Sequence, residues 1–466
     1  MRKEGPSGYA RPPRELSIAV RPIISLRIAY RDPLTAFAPF RDRPMSLLLH
    51  GNGESPAARW SYLLAEPDAV FAGAEHVAAD AFIRAHAGND GAHGEAPFRG
   101  GVAGLFCYEF SAGIDPAMPQ CDAEVLPAAA LGHYPTVAAF DHAAKQAFVF
   151  APSEGAALAF AAKLGTVSTL KPYDAGGRVA ALDSSANYEA AVMALIARIR
   201  AGDLFQANLS RRFVGRLGAG DHPYEMFARL CVESPAPFGA YLRLPDAAIV
   251  SNSPERLVSL EPSPDGWLAR TSPIKGTRPR GRDEGEDRAL AQALIESEKD
   301  RAENLMIVDL MRNDISRVSV PGTVRAPRLF EIESYANVHH LVSTVEGRLK
   351  PGLGALELMR AVFPAGSITG APKIKAMEMI RAAEAAPRHA CYGSIAWFGA
   401  DGAMDSNVLI RTAVCFEDKA GWDVSFRVGG GITIESDPAE EARETDDKAV
   451  QLLRAIRGAE TLGERP

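Results

Sequence analysis

From residue 18 to 152 the apolar positions come in short runs, several alternating with polar ones, and turn residues such as Gly51-Asn52-Gly53 and Asp115-Pro116 separate them. Alternation between turn signals predicts antiparallel strands at 25–29, 46–50, 60–64 and 101–108, with a hairpin through 136–140 and 146–150. Residues 174–186 (DAGGRVAALDSSA) are polar and rich in small residues, which reads as a connection. Beyond it the period changes. Tyr188, Val192, Leu195, Ile196 and Ile199 fall on one face of a helix that Gly202 can end.

The chain then returns to strands, at 204–210 and in an antiparallel run at 240–244, 247–251, 257–260 and 267–271. One long helix is predicted over 284–311, followed by helices at 355–362 and 371–385. A meander at 392–398, 408–416 and 422–427 closes on the Gly429–Gly431 run. Asp437, Pro438 and Glu440 stand where an N-cap, a first-turn proline and a capping-box acid belong, so a helix starts there. Gly101-Val102-Ala103-Gly104 and Gly393-Ser394-Ile395-Ala396 echo each other weakly. The organisation expected is a tail (1–16), an N-terminal β-rich region (17–173), the connection (174–186), a catalytic region (187–459) and a second tail (460–466).

Composition narrows the functional classes. With 466 residues, 47% hydrophobic and 23% charged, the chain is expected to be soluble and globular with a large core. Its net charge of −7 and lack of a basic block argue against nucleic acid as a partner. No apolar run is long enough for a membrane span, and the N-terminus lacks the apolar centre of a signal peptide. Five scattered cysteines without a CxxC pair suggest neither a disulfide framework nor a zinc site, and a cytoplasmic location fits.

Three features carry candidate chemistry. Lys275 lies between Pro273-Ile274 and Gly276 in Arg270-Thr271-Ser272-Pro273-Ile274-Lys275-Gly276-Thr277, which predicts a stiff, exposed turn and a candidate nucleophile. A lone lysine is more often a solvated charge. Asp300 and Glu303, and Glu441 and Glu444, are each three apart on predicted helices, so each pair shares a face. Such pairs are mostly solvated; if they bind a metal, four carboxylates without a thiolate suit Mg²⁺ better than Zn²⁺. The loop Gly366-Ser367-Ile368-Thr369-Gly370-Ala371-Pro372-Lys373 lacks the Gly-Lys-Ser/Thr of a P-loop, so ATP fits poorly.

These stretches, together with Ser253-Pro254-Glu255-Arg256, Val338-His339-His340-Leu341-Val342-Ser343, Gly429-Gly430-Gly431 and Glu441-Ala442-Arg443-Glu444-Thr445, resemble the chorismate-binding enzymes. The resemblance is dense from about Gly202 to Lys448. It implies an α+β fold built on a large, mainly antiparallel β-sandwich flanked by helices, and it implies chorismate as substrate. It also implies Mg²⁺ on Glu303 and Glu444, with Asp300 and Glu441 acting through water.

Within that resemblance Lys275 attacks C2 of chorismate, the 4-hydroxyl leaves, and ammonia enters at C4. Glu255 is the general acid/base and His340 stands near the ring. Substrate contacts fall on Gly276, Thr277, Ser367, Arg411, Gly429, Gly430 and Gly431. Gln206 occupies the place of a water-activating lysine, which argues against isochorismate and salicylate synthesis. Members that aminate C2 typically carry alanine at the position of Lys275. The implied reaction is therefore 4-amino-4-deoxychorismate formation, a step towards 4-aminobenzoate and folate. Its ammonia would come from a separate glutaminase (amidotransferase) subunit, because Cys107 lacks the following glycine of a glutaminase elbow.

Two alternatives stand beside this reading: C2 amination to anthranilate, and a non-catalytic regulator binding chorismate or an aromatic amino acid. In relatives the N-terminal region can hold tryptophan, and Gly51 stands where those offer a serine hydroxyl. Cys391 replaces an aromatic residue that many relatives carry two before Gly393.

Overall fold

A computed structural model describes residues 23–458, apart from 54, 89–93, 116–117, 119–124, 167–172, 336–337 and 385. Both expected tails lie outside the described residues. Among those described, the strands form two antiparallel sheets, one of twelve and one of ten strands. The larger runs from Ile24–Ile28 through the hairpin Val137–Asp141 and Gln146–Ala151, then Trp60–Leu64, Leu47–His50, Phe238–Arg243 and Ala247–Ser253. It continues to Thr412–Asp418, Gly421–Ile432 and Gln206–Arg216. The smaller sheet begins at Ile274–Pro279 and Val338–Arg348 and passes through Arg256–Ser263, Met404–Asn407, Ser394–Gly399 and Gly101–Phe106.

Residues of both sheets meet in one apolar layer that holds Leu47, Ala103, Leu105, Ile249, Ile395 and Trp397. Helices cover the outer faces: Pro223–Glu233 and Pro438–Arg457 on the larger sheet, Glu298–Ser316 and Ala355–Val362 on the smaller. The fold is the flanked antiparallel sandwich expected. Strands buried on both sides, such as Gly101–Phe106, read as continuous apolar runs for this reason. The faint echo between the two Gly-led segments joins neighbours, since Gly101–Phe106 pairs with Ser394–Gly399.

The periodic helix forms over Ser185–Arg200 and buries the five residues that the pattern selected. Gly202 follows at φ +84°, a conformation that glycine adopts freely. Asp437 accepts the amide of Glu440, as its capping position requires.

Three expectations need correction, and two helices were not predicted. The helix over 284–311 is two, Glu284–Glu296 and Glu298–Ser316, because Ser297 leaves the helical region and its hydroxyl caps the amide of Asp300. The Gly429–Gly431 run is no closing loop; it lies inside the strand Gly421–Ile432 and pairs with 208–210. The connection 174–186 separates no cores. It contributes the strand Arg178–Ala181 to the larger sheet, and each sheet joins a block of strands from before it to a block from after it. Finally, the pattern passed over the helices His76–His86 and Glu154–Leu164, whose many alanines carry little contrast.

Candidate active site

The chain crosses between the sheets at two adjacent places, and each crossing carries a candidate residue. Ala247–Ser253 belongs to the larger sheet and Arg256–Ser263 to the smaller, with Glu255 between them. Ser253 Oγ accepts the amide of Glu255 at 3.2 Å, and the Glu255 carbonyl accepts the amide of Val408 at 3.0 Å. Arg411 lies in the second crossing, between Met404–Asn407 and Thr412–Asp418, at φ +50°. Its carbonyl accepts the amide of Asn252, which ties the two crossings together.

Lys275 does not lie on an exposed turn. It belongs to the strand Ile274–Pro279, which pairs with Val338–Arg348. The register passes from Ile274↔Val342 to Thr277↔His340, so Lys275 and Gly276 together oppose one residue and form a β-bulge. A bulge re-aims a side chain, and Gly276 at φ +88° supplies the backbone freedom it needs. A Cβ at Gly276 would also lie 3.0 Å from the Asp300 side chain.

The bulge sends the lysine inward. Its side chain is 15% exposed and its Nζ lies 3.7 Å from Glu303 Oε2. Glu255 and Glu444 also feel its charge. Arg278 and Arg280, which follow Lys275 closely in the chain, are committed elsewhere, to Asp300 at 2.9 Å and Asp287 at 2.8 Å. Gly431 borders the same space, since a Cβ there would stand 2.8 Å from Lys275 Nζ and 2.3 Å from Gln206 Nε2.

Burial raises the Glu255 carboxyl to about 7, against the Ser367 hydroxyl and the Lys275 charge, which pull it down. A group poised between acid and base near neutrality suits proton transfer. His340 moves the other way: burial, helped by the nearby Arg411 charge, lowers it to about 3. The imidazole is therefore neutral at physiological pH, with Nδ1 2.9 Å from Thr277 Oγ1. His339 is held by Ser334 and Asp287, which is a structural role.

The four carboxylates do not act as matched pairs. Glu303 faces Lys275, while its neighbour Asp300 is tied to Arg278. Glu441 is buried, accepts the Ser436 hydroxyl at 2.7 Å, and leaves no room for a Cβ at Gly430. Glu444 is half-exposed and bonded to Lys448, which also reaches the Gly429 carbonyl at 3.1 Å. Lys448 escaped notice in the sequence, although its place four residues after Glu444 on one helix is a usable signal. Among the described residues no three His, Cys, Asp or Glu side chains converge as a metal cage. Glu303 nevertheless lies 3.7 Å from the Lys275 amine, and Glu444, on another helix, feels the same charge. That donor set fits a hard cation that relies on water and substrate for its remaining ligands.

Arg411 has no carboxylate partner among the described residues, and burial lowers its pKa. A guanidinium so placed is suited to a carboxylate brought by a ligand. The amides of 429–431 alternate between the strand Gln206–Arg216 and the opposite side, where Thr412–Asp418 no longer pairs. Cys391 and Tyr392 do not enter this space. Cys391 Sγ reaches the Thr412 carbonyl, and Tyr392 lies against Arg388. At Gly51 a Cβ would stand 2.5 Å from the Trp60 carbonyl, so this backbone admits no serine there.

Comparison with known proteins gives a consistent picture. The family described as chorismate binding enzyme matches residues 52–454. Aminodeoxychorismate synthase component 1 of Klebsiella aerogenes is 36% identical over 440 residues, covering 90% of this chain and 95% of its own. Anthranilate synthase component 1 of Thermus thermophilus is 39% identical over 375 residues, covering 78% and 79%. Among solved structures, anthranilate synthase component I of Streptococcus pneumoniae superposes with a TM-score of 0.75 at 28% identity, covering 86% of this chain and 93% of that one.

Proposed function

Because the chain belongs to the chorismate-binding enzyme family, we propose that it is the synthase component of an aminodeoxychorismate synthase. In the reaction, chorismate and ammonia give 4-amino-4-deoxychorismate and water. Four relatives carrying that activity in their names, among them the one from Escherichia coli at 35% identity over 454 residues, support this reading. The observation that carries the choice of C4 over C2 is Lys275, bulged inward beside Glu255 and Glu303.

In this mechanism the Lys275 amine attacks C2, the double bond shifts, and the C4 hydroxyl departs with a proton from Glu255. Ammonia then adds at C4, the shift reverses, and the lysine is expelled, while Glu255 takes up the proton that ammonia loses. His340, neutral and fixed by Thr277, orients the ring. Ser367, Gly276, Thr277 and the Gly429-Gly430-Gly431 segment, through the amides that face away from the strand Gln206–Arg216, line the substrate, and Arg411 takes a carboxylate.

We assign Mg²⁺ to Glu303 and Glu444, where it would anchor the ring carboxylate and neutralise its charge. Asp300 and Glu441 would support the ion through water. The component naming of the relatives implies a second component, and we identify it as a glutaminase that supplies ammonia. No helix among the described residues is long and apolar enough to cross a membrane. Four buried free cysteines support a cytoplasmic setting.

The competing activity is anthranilate synthesis, favoured by the Thermus thermophilus relative. Incubating the chain with Mg²⁺, chorismate and ammonium separates the two. The C4 route gives no anthranilate fluorescence and yields 4-aminobenzoate after a lyase is added. Direct appearance of anthranilate as the main product would overturn the proposal.

A further inference from the structure

A cavity of about 220 Å³ is lined by Tyr108, Glu109, Met377, Glu384, Ala386 and Arg388 among others. Two polar atoms in it lack a hydrogen-bond partner although buried: Tyr108 Oη and Glu109 Oε2. Tyr108 is 8% exposed. Buried acceptors of this kind ordinarily serve water or a small ligand.

The inner wall of the cavity is Arg388, held between the rings of Tyr108 and Tyr392 at 4.8 and 4.5 Å. Its guanidinium donates to the Ile368 carbonyl at 2.9 Å and to the Asn208 carbonyl at 2.7 Å. It thus touches the backbone of the Ser367 loop and of the Gln206 strand. On that strand Gln206 and Asn208 face the same side. Both polar atoms of the Gln206 amide and Oδ1 of Asn208 are buried without a partner. Gln206 in turn borders the Lys275 amine through Gly431. Unpartnered polar groups therefore mark a trail from the cavity to the lysine.

We propose that this cavity admits ammonia and that the Asn208 and Gln206 side chains lead it to the reacting carbon. The inference rests on the ammonia-dependent reaction proposed above. Inside the cavity the Glu384 carboxylate is taken up by Arg388 at 2.7 Å, leaving no free anion there to hold ammonium, so the species that passes is neutral ammonia. At the mouth, ammonium transfers a proton to the Glu109 carboxylate, giving ammonia and the carboxylic acid, a form that burial favours, and Glu109 then returns the proton to bulk water before the next ammonium arrives.

The test uses the purified chain with chorismate, Mg²⁺ and ammonium chloride. Ala386→Trp fills the mouth, and Glu109→Gln removes the carboxylate at nearly constant shape. The expected result in each is a fall of about tenfold in kcat/KM for ammonium with the KM for chorismate unchanged. If both variants keep the wild-type dependence on ammonium, the passage is wrong while the reaction assignment stands. If Ala386→Trp does not fold, Glu109→Gln alone decides. A wild-type chain that makes no aminated product from ammonium would remove both.

Discussion

A Cβ at Gly431 would stand 2.8 Å from the Lys275 amine, so the glycine of one sheet leaves the space into which the lysine of the other projects. Gly431→Ala should displace the lysine and the neighbouring Gln206 amide, both ends of flexible side chains, without unfolding the strand. We expect kcat to fall by about tenfold or more, with an unchanged circular dichroism spectrum. Activity equal to wild type would mean that the lysine does not work from this position.

Glu255 predicts a pH dependence of two kinds. Its acid form, needed for hydroxyl departure, is lost as pH rises through about 7, so the rate should decline above that value. Its folded pKa lies above the ordinary carboxyl value of 4.5, so burial costs stability that grows between about 4.5 and 7 and is constant beyond. Glu255→Gln should therefore lose activity by about a hundredfold or more. It should gain stability over wild type above pH 7, by about 3 kcal/mol at most, and the gain should fade towards pH 4.5. Denaturant titrations at three pH values measure the second effect.

Glu303→Ala and Glu444→Ala test the metal assignment. Each should abolish turnover and weaken Mg²⁺ binding measured by calorimetry, with the fold retained. Wild-type rates in EDTA from either variant would remove Mg²⁺ from the account.

Much of the fold was legible because single elements carry their own pattern: the face of Tyr188, Val192 and Ile199, or the cap at Asp437. The long helix was misread because periodicity runs on through Ser297, whereas the break depends on its hydroxyl reaching the Asp300 amide. The site was legible as residues but not as an arrangement. Lys275 turns inward only because its strand pairs with Val338–Arg348, far along the chain. In the same way, Arg278 and Arg280 face away because Asp300 and Asp287, on two different helices, hold them. The crossings that carry Glu255 and Arg411 follow from strand order, which no local pattern encodes.

Product analysis of Lys275→Ala with chorismate, Mg²⁺ and ammonium bears most directly on the chemistry. Formation of 4-amino-4-deoxychorismate should fall by at least about a thousandfold while the variant stays folded. Undiminished formation of that product by a chain without the amine would contradict attack by Lys275 and, with it, the reason given for amination at C4.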